Sequence, residues 1–182
     1  KDAHMLIEDF MLLANREVAT YIINKQQDQA EIPFVYRVHD QPDPDKLADF
    51  VNFALNLKFS IRTDTPKQIA DSFNRLADAA QEDPALKMLQ PLAIRTMAKA
   101  VYTTDNIGHY GLAFDNYSHF TSPIRRYADV LTHRILEQNL GKTYRVKKDR
   151  LEEMCSHISS QERKAMDSER ESIKYKMVEY ME

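Results

Sequence analysis

A chain of 182 residues is long enough for one domain with a sizeable core, or for a large piece of a bigger one. Its 43% apolar and 29% charged residues exclude a wholly disordered chain, and only 3 glycines exclude the Gly-rich phosphate loops of P-loop and Rossmann proteins. The net charge of −3 argues against a polyanionic partner, yet residues 122–150 hold 8 Lys and Arg against 3 Asp and Glu in an otherwise acidic chain. That segment is either a solvated basic turn between helices or a local field that holds a polyanion.

Residues 4–24 predict a helix, with Ile7, Phe10, Met11, Ala14, Val18, Tyr21 and Ile22 on one wide apolar stripe. Leu6, Leu12 and Leu13 add apolar surface on its other sides, so burial nearly all round is expected. Residues 34–39, rich in β-branched and aromatic side chains, predict a strand. Asp43-Pro44 then starts a helix to about Leu57, Thr65-Pro66 another to about Gln81, and Asp83-Pro84 a third. Pro91 predicts a kink, or a meeting of two helices, within that third pattern. Residues 103–121 have no helical period and read as loop with short extended pieces. Ser122-Pro123 predicts a helix to about Asn139, stopped by Gly141. The last segment, 148–181, predicts one long helix with a thin apolar stripe of Leu151, Met154, Ile158, Ala165 and Met177. The fold class expected is mainly α with a few short strands, α+β.

No apolar run approaches the roughly 20 residues of a membrane span. Cys155 is the only cysteine, so neither an intrachain disulfide nor a cysteine-based zinc site is expected, and a cytoplasmic setting is. Residue 1 is Lys with no signal peptide after it, so the chain reads as an internal fragment of a longer protein. The six histidines show no HExxH spacing, and no metal site is expected.

The sharpest constellation runs from Tyr117 to Asp129. Ser122 is placed to cap a helix, Pro123 to occupy its first position, and Arg125 and Arg126 to fall in its first turn. Two arginines there are electrostatically poor unless an anion joins them, because a helix N-terminus is already partly positive. A phosphate would meet free N–H groups, the helix dipole and two guanidinium forks together. On a helix, Arg125, Asp129 and His133 share a strip, with Asp129 set to orient Arg125, while Tyr127, Leu131 and Ile135 face the core. The strip is either an anion site or a surface salt-bridge row. In the first helix, Glu8 lies on a polar line with His4 and Asn15 between apolar neighbours. It is either a buried partner for an arginine or a group that holds a ribose hydroxyl or a metal-bound water. His109, Tyr110, Tyr117, His119 and Phe120 either stack bases or fill core.

Quoted in order, Asp2-Ala3-His4, Ile7-Glu8-Asp9-Phe10-Met11-Leu12-Leu13-Ala14-Asn15, Tyr36-Arg37-Val38-His39, Ile107-Gly108-His109-Tyr110-Gly111-Leu112-Ala113 and His119-Phe120-Thr121-Ser122-Pro123-Ile124-Arg125-Arg126-Tyr127 resemble the RNB catalytic domain of the ribonuclease II and ribonuclease R family. The likeness covers essentially the whole chain and lies nearest the bacterial ribonuclease R branch. Ala128 departs from it, since many relatives have proline or glycine there. The resemblance implies the helical C-terminal part of a catalytic domain, with helix 148–181 leading toward an OB-fold RNA-binding domain absent from the chain. It implies a processive 3′→5′ exoribonuclease that hydrolyses single-stranded RNA to nucleoside 5′-monophosphates with Mg2+. The metal-binding aspartate cluster would lie upstream, leaving this fragment inactive alone. It further implies Arg125 as a catalytic phosphate clamp and Glu8 as the group that positions the terminal nucleotide. Arg126, Tyr127, His119, Ser122, Asp129 and His109 would contact RNA or support those contacts. The protein is expected to be a monomer with no membrane partner. The alternatives are a non-catalytic RNA-binding or regulatory relative, and a helical protein-interaction module.

Overall fold

The computed structural model describes residues 2–27, 31–141 and 146–181. In chain order the elements are α1 (Asp2–Gln27), β1 (Tyr36–Val38), α2 (Pro44–Asn56), α3 (Pro66–Ala79), α4 (Pro84–Lys87), α5 (Leu89–Thr96), β2 (Val101–Thr103), a 3-10 turn (Tyr110–Leu112), α6 (Tyr127–Gly141) and α7 (Lys148–Met181). Among the described residues the chain is therefore mostly helical with one two-stranded antiparallel sheet, which agrees with the expected mainly α class with a few short strands. It divides into two compact units, residues 40–99 and residues 1–39 with 100–182.

In the unit of residues 40–99, three helices begin as Asp or Thr followed by Pro predicts. Asp43 accepts from the N–H groups of Asp45 and Lys46, Thr65 from that of Gln68, and Asp83 from that of Ala85. Each cap satisfies donors that the first turn leaves orphaned, and each proline gives up an N–H the helix does not use. The expected break near Pro91 lies earlier, at Met88 between α4 and α5. Pro91 sits in the first turn of α5, where its missing N–H leaves no hydrogen bond unmade. Leu47, Phe50, Ile69, Leu76 and Leu89 form the buried core of this unit.

The other unit is built around β1 and β2, which pair Tyr36 with Thr103, Arg37 with Tyr102 and Val38 with Val101. Its core joins Ala19 and Ile22 of α1, Phe34 and Val35, Leu131 and Ile135 of α6, and Leu151 and Cys155 of α7. Burying side chains such as Phe34, Ile22 and Leu151 contributes about 1.5–3 kcal/mol each. The free edge of β2 is covered by α7: Tyr102 N–H donates to Ser159 Oγ at 2.9 Å and Thr104 N–H to Glu152 at 2.6 Å. Polar side chains on the early turns of α7 thus take the place of a third strand.

One burial expectation changes. Met5, Leu6, Ile7 and Phe10 are exposed rather than enclosed, because the core meets α1 only along its later turns. The stripe of α7 is buried at Leu151 and half-buried at Met154 and Ile158, whereas Ala165 and Met177 are exposed. Among the described residues no helix is long and apolar enough to cross a membrane.

Candidate nucleic-acid interface

The start of α6 differs from the sequence expectation. Ser122 and Pro123 do not open the helix; residues 122–126 form a turn in which the N–H groups of Arg125 and Arg126 both donate to Ser122 O, at 3.2 and 3.1 Å. The cause is Asp129. Its carboxylate is fully buried and accepts from Ser122 N–H at 2.7 Å and from Arg126 Nη2 at 2.8 Å. Arg126 Nε lies 2.8 Å from the second oxygen. Asp129 stands in the first turn of α6, where the helix dipole favours an anion, and it draws the preceding turn back onto itself.

This arrangement separates the two arginines. Asp129 pairs with Arg126 and not, as helical spacing predicts, with Arg125. Arg126 is thereby committed to a buried partner. Arg125 is exposed, and among the described residues its side chain has no hydrogen bond or ion pair. Tyr127, expected to face the core with Leu131 and Ile135, is 50% exposed, whereas those two are buried. The first turn of α6 is itself packed, since Ala128 and Asp129 beside it are fully buried, and the Tyr127 ring lies on the open side of that turn.

The segment leading to the turn is fixed from several directions. Asn15, buried in α1, accepts from the N–H groups of Phe120 and Thr121 at 2.9 and 3.2 Å, and its amide donates to the Tyr117 hydroxyl at 3.1 Å. Ser118 Oγ donates to Val35 O at 2.6 Å. His133, predicted to share a strip with Arg125, instead stacks on Phe120 with ring centroids 4.1 Å apart and donates from Nε2 to Phe120 O at 2.7 Å. At Gly108 φ is +80°, a conformation side chains rarely adopt, and an added Cβ would sit 3.2 Å from Phe114 O.

A chain of rings and charges runs beside this segment. His39 stacks on His109; His109 meets Tyr117 edge-on, and Tyr117 meets His119 in the same way. His119 Nδ1 lies 2.7 Å from the Tyr102 hydroxyl, and the Arg37 guanidinium covers the Tyr102 ring at 4.5 Å. Arg37 completes the chain with a two-point contact to Glu162 of α7 at 2.8 and 3.2 Å. Burial, then the Arg126 and Arg37 charges, pushes His119 down to about 3. Burial and neighbouring His39 push His109 down to about 4, and burial raises Tyr102 to about 12. Both histidines are therefore neutral near pH 7, and the Tyr102–His119 contact is a hydroxyl–imidazole hydrogen bond.

Beside the turn is a cavity of about 580 Å3, lined by Arg125, Arg126 and Tyr127 together with Tyr102, Glu162 and Glu169. It brings together three of the expected site residues. Ser122 and Asp129 are buried and do not line it, Asp129 holding the lining residue Arg126, and His119 is linked to it through Tyr102. Glu8 is not among its lining residues; it is exposed on α1 and, among the described residues, has no arginine partner. Sequence reasoning missed Arg37, Tyr102, Glu162 and Glu169. The two glutamates, seven residues apart, fall on one face of a helix, and only that spacing hints at a shared role. Among the described residues no group of three or more His, Cys, Asp or Glu is placed to hold a metal.

Residues 1–142 match the RNB domain family. The chain is 38% identical over 99% of its length to ribonuclease R 1 of Lactococcus lactis, covering 22% of that protein. Its fold is similar to that of Mycoplasma genitalium RNase R in complex with ribose methylated single-stranded RNA, with a TM-score of 0.80, 30% identity, and coverage of 95% of this chain and 27% of the other. It is also similar to yeast Ssd1, a pseudonuclease, with a TM-score of 0.69, 27% identity, and coverage of 84% of this chain and 19% of the other. The chain thus spans roughly a quarter of the length of the relatives it matches. The ordered segments named above, their fold and the family match agree: the chain belongs to the RNB domain family.

Proposed function

We propose that the chain is the C-terminal part of the catalytic domain of a 3′→5′ exoribonuclease that releases nucleoside 5′-monophosphates from single-stranded RNA. The observation that carries this reading is Arg125. Among the described residues its guanidinium is exposed and unpaired, on a turn held by Asn15, Asp129 and Arg126, and it lines a cavity beside the half-exposed Tyr127. A preorganised guanidinium grips two phosphate oxygens and stabilises charge that develops during phosphodiester cleavage. Arg126, Asp129 and Ser122 hold that turn, and Tyr127 offers a face for a base. His119 and His109 support the same segment as neutral rings. Glu8, at the exposed end of α1, positions the terminal nucleotide.

The described residues do not fit a magnesium site, since no carboxylate cluster forms among them. The acidic ligands for Mg2+ are therefore assigned to other parts of the parent protein, and this chain alone is expected to be inactive. The test is release of mononucleotides from a 3′-labelled RNA by the full-length protein, with and without magnesium. Arg125→Ala should lower turnover by about 10²–10³-fold with a much smaller loss of RNA affinity. Arg125→Lys should rescue poorly, because an ammonium lacks the planar fork. An unchanged rate in Arg125→Ala removes Arg125 from the site. A second reading, a non-catalytic RNA-binding relative, draws support from the likeness to Ssd1. RNA binding without mononucleotide release by the full-length protein would favour it.

A further inference from the structure

A second cavity, of about 680 Å3, lies between α6 and α7 and shares Tyr127 with the first. Leu131 and Leu151 contribute apolar surface to it, and both belong to the packed core. Arg134, Lys147 and Arg150 line it as well, and all three are exposed. None of the three has an ion pair among the described residues, and no carboxylate lines the cavity. Lys148, the next residue in sequence, is treated differently: it lies 3.1 Å from Glu31 and 2.9 Å from Asp105. The fold neutralises one cation of this segment and leaves its neighbours without counter-charge around one hollow. Like charges gathered in that way repel one another until an anion joins them.

The shape of the charge selects the anion. Cations above an apolar floor, with one half-exposed aromatic ring at the border, suit a single nucleic-acid strand: phosphates meet the cations and bases meet the ring and the apolar surface. An acidic peptide would meet the charges and leave the ring unused. The geometry points to this cavity as a second RNA subsite, in which Arg134, Lys147 and Arg150 hold backbone phosphates and Tyr127 stacks a base of the strand whose neighbouring phosphate lies at Arg125. This deepens the RNA reading given above and rests on it. It assigns five of the basic residues in 122–150 to two adjoining places, Arg125 and Arg126 to one and Arg134, Lys147 and Arg150 to the other.

The test measures binding of a labelled single-stranded RNA to the full-length protein, without turnover, across a salt series. Three phosphate contacts on a single strand account for a slope of about 2 in log affinity against log salt. The triple variant Arg134→Gln, Lys147→Gln, Arg150→Gln should therefore show a slope shallower by about 2. Its affinity deficit relative to wild type should shrink by roughly 20-fold between about 50 and 200 mM salt. The charge-preserving variant Arg134→Lys, Lys147→Arg, Arg150→Lys should keep the wild-type slope, which separates lost charge from lost fold. Tyr127→Ala should weaken binding by about 5- to 150-fold without changing the slope. If the wild type binds and the triple glutamine variant keeps its slope, the second subsite is overturned and the RNA reading stands. If the wild type does not bind RNA, both fall. If a polyglutamate competes with RNA as well as unlabelled RNA does, the cavity belongs to an acidic protein partner and the proposal is overturned.

Discussion

Asn15→Ala tests whether the turn that carries Arg125 is held from a distance. The substitution removes an acceptor shared by the Phe120 and Thr121 N–H groups and a donor to the Tyr117 hydroxyl. Each buried group left without a partner costs about 1–3 kcal/mol. Phe120 and Thr121 are only half-buried, so water recovers part of the loss and the low end of that range applies. Alanine, the best helix former, returns at most about 0.7 kcal/mol within α1. The net is a local loosening of about 1.5–3 kcal/mol, which is roughly a 10- to 150-fold rise in the opening equilibrium. Amide hydrogen exchange read by mass spectrometry measures it: peptides covering residues 117–126 should exchange faster by that factor, while α3 in the other unit should not change. RNA turnover by the full-length protein should fall although Arg125 itself is untouched. Unchanged exchange at 117–126, or equal acceleration in α3, refutes the idea that Asn15 acts locally on this turn.

Arg126→Ala should behave unlike Arg125→Ala. It strands the fully buried Asp129 carboxylate and should destabilise the chain by about 3–5 kcal/mol in urea unfolding, whereas Arg125→Ala should leave the midpoint within error. Acid should weaken the fold through His119 and His109. Both are held neutral down to about 3 and 4, while the unfolded chain takes up protons near 6.5. The unfolded state therefore binds more protons between those values, and stability rises with pH across that window. From pH 6.5 to 5 the loss approaches about 1.4 kcal/mol per pH unit for His119 and less for half-buried His109, which solvent screens. Urea midpoints at pH 7, 6 and 5 measure it, and His119→Gln should flatten the dependence.

The elements most legible in the sequence are those whose signals are local. Asp43-Pro44, Thr65-Pro66 and Asp83-Pro84 each begin a helix because the cap and the proline act within one turn. Ser122-Pro123 carries the same signal and fails, because Asp129, seven residues on, takes the Ser122 N–H into a buried carboxylate. The distinction between Arg125 and Arg126 was hidden for the same reason: spacing offers Asp129 to both, and only the turn decides. Asn15 stood on the predicted helix face, but its partners lie more than a hundred residues away. The pairing of Arg37 with Glu162 spans a similar distance and leaves no periodic trace. β2 escaped notice because a three-residue strand carries too little pattern to stand out.

The placement of residues 40–99 between β1 and β2 has a kinetic consequence. Two strands paired through Val38 and Val101 are joined by roughly 60 residues, where a hairpin needs only a few. Closing so long a flexible loop adds about 2–3 kcal/mol of chain entropy over a tight turn. The inserted helices, however, rest on a core of their own and on local caps. Their prior formation would turn a floppy tether into a short, stiff one. On that order the sheet that anchors the Arg125 segment pairs late in folding, after an inserted segment to which it contributes no strand.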